Sequence, residues 1–145
     1  MSSLLLRLTC AAALAGAYAL PLPAMAEVVT YGAQLAGSAE VPQNDSAGTG
    51  SVEATYDTES KAFSWTITYS GLTGEAAAAH FHGPADPTAN APPVVPLEGS
   101  LASPISGSAT LDDAQAGDLE AGRWYFNLHT AQHPDGEIRG QVMKQ

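Results

Sequence analysis

The sequence predicts an all-β fold: an antiparallel β-sandwich with Greek-key-like connections, seven or eight short strands and at most one short helix. Three observations carry that prediction. Apolar residues alternate with polar ones at period two in the clearest runs, which puts every second side chain on one face of a sheet. Turn-forming residues recur between these runs. Pro87, Pro92, Pro93 and Pro96 forbid a long helix across the least regular stretch.

Val28 to Leu35 is the first candidate strand, followed by a loop of turn formers, Pro42-Gln43-Asn44-Asp45-Ser46-Ala47-Gly48. A hairpin comes next. Val52, Ala54 and Tyr56 alternate with polar residues up to the turn Asp57-Thr58-Glu59-Ser60. Beyond it Phe63, Trp65, Ile67 and Tyr69 alternate with Ser64, Thr66, Thr68 and Ser70. Gly71 and Gly74 mark another turn. In Ala76 to His82 the alanines favour helix, but Gly83-Pro84 closes the run early, which predicts a strand. Pro84 to Pro104 reads as a long surface loop with one short extended piece around Val94-Val95. Ser103 to Leu111 is the next strand; Thr110-Leu111-Asp112-Asp113 then caps a single helical turn through Leu119, stopping before Gly122. Arg123 to Thr130, rich in aromatics, and Glu137 to Met143, after the Pro134-Asp135-Gly136 turn, complete the set.

Residues 1–26 read as a cleavable export signal. Arg7 supplies the positive charge, an apolar run continues to Leu20, and Pro21 and Pro23 break it. Ala24-Met25-Ala26 then has the small-x-small form of a cleavage site before Glu27. Residues 27–145 form one domain, periplasmic or secreted. Cys10 lies in the signal, so the mature chain has no cysteine and no disulfide. Its four basic residues, Lys61, Arg123, Arg139 and Lys144, meet fifteen acids, a net charge near −11 against −10 for the whole sequence. Such a surface cannot neutralise phosphates, which excludes nucleic acid, and anionic membranes repel it. No membrane insertion is expected after signal cleavage, and the product is soluble. The mature chain has no cysteine nucleophile, no Gly-x-Ser-x-Gly elbow and no glycine-rich phosphate loop.

All four histidines fall in two strings, His80-Phe81-His82-Gly83-Pro84-Ala85 and His129-Thr130-Ala131-Gln132-His133-Pro134. Neutral imidazole is a ligand of copper and zinc. Strand parity turns Ala77, Ala79 and Phe81 toward the core and sets His80 and His82 on the other face, about 6.5–7 Å apart. Likewise Trp124, Phe126 and Leu128 point inward, and Tyr125, Asn127 and His129 share the wet face. Were the two strands neighbours, His80, His82 and His129 would converge on one ion about 2.0 Å from each nitrogen. His133, at the start of a turn, is either a fourth ligand or a rim residue. The alternative is that the histidines are structural and the module binds an extracellular protein or glycan. Glu137 and Arg139 share a face with Gln141, a pair worth about 0–1 kcal/mol where exposed. Glu137 is also the candidate general base for a metal-bound water.

The first histidine string, and more specifically Trp124-Tyr125-Phe126-Asn127-Leu128-His129-Thr130 running into Pro134-Asp135-Gly136-Glu137-Ile138-Arg139-Gly140-Gln141, resembles the CHRD domain, the module named after chordin. Tyr31 to Pro42 and the Gly48-Thr49-Gly50 turn also fit, so the resemblance spans essentially the whole mature chain. It implies the stand-alone exported form found in bacteria. In chordin these domains accompany cysteine-rich repeats that bind growth factors; this chain has none, so that activity does not transfer. His80-Phe81-His82 is also similar to the His-x-His strand of Cu,Zn superoxide dismutases, Greek-key sandwiches in which it supplies two copper ligands. Four histidines are too few for a copper–zinc pair with a bridging imidazole, and a surface near −11 would repel superoxide. The expectation is a binding module with copper or zinc as its ion ahead of an enzyme, with a dismutase-like redox enzyme as the last alternative.

Overall fold

The computed structural model describes residues 25–145, so the expected signal over 1–26 lies, but for its last two residues, outside the described part. Eight strands and one helix follow in order: β1 (Val28–Ala36), β2 (Thr49–Asp57), β3 (Ala62–Ser70), β4 (Ala76–His82), β5 (Pro93–Pro96), β6 (Ile105–Thr110), α1 (Asp113–Glu120), β7 (Trp124–Thr130) and β8 (Ile138–Lys144). All strand pairs are antiparallel, in the order β5-β4-β7-β8-β1-β2-β3-β6. The β3–β4 and β6–β7 connections each cross from one half of that order to the other, which is Greek-key-like connectivity.

This one sheet curls over so that its halves face each other. Phe63 of β3 meets Phe81 of β4 at 5.1 Å and Trp124 of β7 at 5.6 Å, both edge to face, although β3 is no neighbour of either strand in the sheet. Offset aromatic contacts of this kind add to the burial term. Val52, Ile67, Phe126, Leu128, Ile138 and Val142 fill the space between the halves. The expected all-β class is therefore observed, in a barrel- or sandwich-like form. The period-two hairpin lies where the alternation puts it, with Asp57 accepting from the Glu59 and Ser60 amides to close the turn.

Three local differences have physical causes. The helix is eight residues long rather than one turn, because Asp112 and Gln115 form a reciprocal capping box and Ala116 and Leu119 bury against the core. In β4 a bulge separates the Ala76–Thr130 and Ala78–His129 pairs, so Ala77 is exposed instead of facing the core. Tyr125 and Asn127, expected on a wet face, are 2% and 3% exposed. The segment after β4 causes this by folding back over β7 and β8 rather than standing off as a surface loop. The Ala85 amide donates to the Arg123 carbonyl, and Gln141 Nε2 donates to the carbonyls of Ala85 and Gly122. Among the described residues no helix is long and apolar enough to cross a membrane.

Candidate metal centre

The β4–β7 register builds the site. Ala78 faces His129, His80 faces Asn127 and His82 faces Tyr125 across the two strands, so all three histidines project from the same side. One ring nitrogen from each of His80, His82 and His129 lies within 4.8 Å of the other two. His80 Nδ1 and His129 Nε2 are 3.2 Å apart, and the ring centroids of His80 are 5.3 Å from His82 and 5.1 Å from His129. His133 is not in this group. It stands in the turn after β7, its main chain paired with that of Thr130.

Two backbone carbonyls orient the rings. His82 Nδ1 is 2.8 Å from the Ala91 carbonyl, and His129 Nδ1 is 2.9 Å from the Pro134 carbonyl. A carbonyl only accepts, so both Nδ1 atoms carry the proton and both Nε2 atoms keep the lone pair in the neutral ring. Histidines that ligate metals are commonly held this way through their second nitrogen. His82 is 7% exposed, and its Nε2 is buried without a hydrogen-bond partner. Burial holds the His80 and His82 imidazoles below the usual histidine range, aided by the positive charge that neighbouring histidines would carry. Both are thus kept in the uncharged form that can coordinate.

Beside the histidines lies a buried polar layer that parity alone does not reveal. The Tyr125 ring stacks on His82 at 4.7 Å with 3° between planes, and Arg139 Cζ sits 3.5 Å from the Tyr125 centroid. Glu137 and Arg139, read from the sequence as a same-face pair, are both buried and bonded separately. Glu137 Oε1 accepts from Ser46 Oγ at 2.7 Å and the Thr73 amide at 2.8 Å; its Oε2 accepts from Thr73 Oγ1 at 2.8 Å and Thr130 Oγ1 at 2.5 Å. Burial alone would raise its pKa, but the Thr130, Ser46 and Thr73 donors outweigh that and hold it at about 2. A carboxylate so weakly basic and so fully occupied does not suit the general-base role considered for it.

Glu40 shows the opposite balance. It is 4% exposed, its Oε1 has no partner, and burial pushes its carboxyl up to about 7 against the pull of Arg139 and Asn127. The sequence singled out neither Glu40 nor Tyr125 as a site residue. The only available sign was that Tyr125 and Asn127 share the histidines' face.

The family model described as CHRD domain matches residues 31–142. Comparison with curated proteins and with solved structures returns no match.

Proposed function

This chain belongs to the CHRD-domain family, and on that premise we propose that it is an exported binding module whose ligand is a copper or zinc ion held by His80, His82 and His129. CHRD domains occur in extracellular proteins, which agrees with the export signal read over residues 1–26. The observation that carries the metal reading is the His82 Nε2 lone pair. It is buried without a hydrogen-bond partner, on a ring that puts one nitrogen in a group with a nitrogen from each of two further imidazoles. A buried polar atom left without a partner costs about 1–3 kcal/mol, and a cation removes that cost. The group has only nitrogen donors and no carboxylate, a set suited to copper or zinc rather than calcium or magnesium. By the usual order of divalent affinities copper(II) binds it more tightly than zinc.

The 3.2 Å contact between His80 and His129 favours a second reading, in which these two histidines are structural and the module binds an extracellular protein or glycan. Under the metal reading the ion takes the place of the proton those two rings share. A dismutase-type two-metal centre needs more ligands than the single group of three found among the described residues.

Copper(II) titrated into tag-free protein should bind at about one equivalent, with nitrogen hyperfine structure in its paramagnetic resonance spectrum. His82→Ala should weaken binding by at least tenfold. Equal affinity in parent and variant would assign the copper to the acidic surface and end the metal reading.

A further inference from the structure

We infer that Tyr125 and Arg139 are positioning residues for the histidine site, clamping the segment 86–91 so that the Ala91 carbonyl holds the His82 proton on Nδ1 and leaves the lone pair on Nε2. The functional consequence rests on the metal reading above; the clamp itself does not. β7 lies between β4 and β8 in the sheet, so Tyr125 is sandwiched between His82 from one neighbour and Arg139 from the other. Its hydroxyl holds both ends of the Ala91 residue, accepting from the amide at 3.2 Å and donating to the carbonyl at 3.2 Å. The same carbonyl takes the His82 Nδ1 proton at 2.8 Å. Arg139 ties down the residues just before it: Nη1 donates to Asn90 Oδ1 at 2.8 Å, and Nη2 donates to the Ala89 carbonyl at 2.7 Å and the Asp86 carbonyl at 3.5 Å.

Arg139 is 1% exposed, and no carboxylate of the described residues lies within ion-pair distance of it. Burying a guanidinium without a paired charge is unfavourable unless its donors and its charge are satisfied otherwise. Here loop acceptors and the Tyr125 face meet that need. A methionine would fill the same volume but hold none of these acceptors. What the arginine adds is therefore a fixed loop, and the element that loop presents to the site is the Ala91 carbonyl. Without it the His82 proton is free to sit on Nε2, which then has no lone pair to offer a metal.

The test is long-range nitrogen–proton NMR of the imidazoles in metal-free, tag-free protein, together with copper(II) titration, for the parent, Tyr125→Phe and Arg139→Lys. Tyr125→Phe keeps the ring stack and removes only the hydroxyl. Arg139→Lys keeps the charge but not the fork. In the parent, His82 should show a single form protonated at Nδ1; in both variants a mixture should appear, and copper affinity should fall about 10- to 100-fold. Lys61→Ala, in an exposed pair with Asp113, should change neither readout. If Arg139→Lys fails to fold, Tyr125→Phe decides alone. A single unchanged tautomer with unchanged affinity in the folded variants overturns the inference and leaves the metal reading standing. A parent that binds no copper while the variants still scramble the tautomer upholds the clamp and overturns the metal reading.

Discussion

Two buried glutamates less than a hundred residues apart in sequence have opposite charge preferences, and the difference is the number of donors each one meets. Glu137 receives four hydrogen bonds; one oxygen of Glu40 receives none. Glu137 has a folded pKa near 2 against an ordinary 4.5, so its stabilisation is full above about 4.5 and fades as pH falls toward 2. Glu137→Gln should therefore cost about 3 kcal/mol at pH 7, with the gap to the parent closing between pH 4.5 and 2. For Glu40 the folded value is raised to about 7, so its favourable contribution is complete below about 4.5 and lost as pH rises through 7. Glu40→Gln should flatten the loss of stability between pH 5 and 8. Urea denaturation across this range checks both, and parallel curves for parent and variants would refute the assignments.

At the level of elements, the close approach of β8 to β1 is what joins the histidine-bearing half of the sheet to the other half. Gly140 permits it. A methyl group there would lie 2.2 Å from the Gln34 carbonyl oxygen and 3.0 Å from Leu35 Cδ2. Backbone cannot move aside as a side-chain tip can, so Gly140→Ala should cost about 1–3 kcal/mol by overpacking. A lower denaturation midpoint at unchanged slope would record that cost; an unchanged midpoint would show that the strands can part freely. The β4 bulge acts at the same scale. It exposes Ala77 yet leaves Ala79 and Phe81 buried and the two histidines on the opposite face, because it precedes all four.

For the whole molecule, stability and metal occupancy should be linked. An ion that binds only the folded chain stabilises it by about 2.7 kcal/mol at a hundredfold excess over Kd. For a domain of this size that is a rise in Tm on the order of 10 °C, reversed by chelator. His129 is only half-buried, so His129→Ala should cost the metal-free protein little while removing the metal-dependent rise. If instead the metal-free protein loses about 1–3 kcal/mol, as for a buried hydrogen-bond partner left unpaired, and the parent shows no metal response, the histidines are structural. Thermal melts with chelator and with copper or zinc separate the two outcomes.

Features that depend on neighbours along the chain are legible in the order of residues. Period-two alternation places Phe63, Trp65 and Ile67 in the core, the Gly83-Pro84 punctuation ends β4 at His82, and parity puts His80 and His82 on one face. These are properties of a single strand, legible because successive side chains must point in opposite directions. Folding in three dimensions makes β4 and β7 neighbours, so that His129 joins the pair while His133 stays in its turn. It also decides that the face carrying the histidines is covered at His82 and Tyr125. That cover is a proline-rich segment with no periodicity of its own, held by Arg139 and Tyr125 from strands more than thirty residues away. The environment of Glu137 likewise draws on Ser46, Thr73 and Thr130, three separate segments. Contacts of that range leave no local pattern, because what aligns them is closure of the sheet and not the order of residues along it.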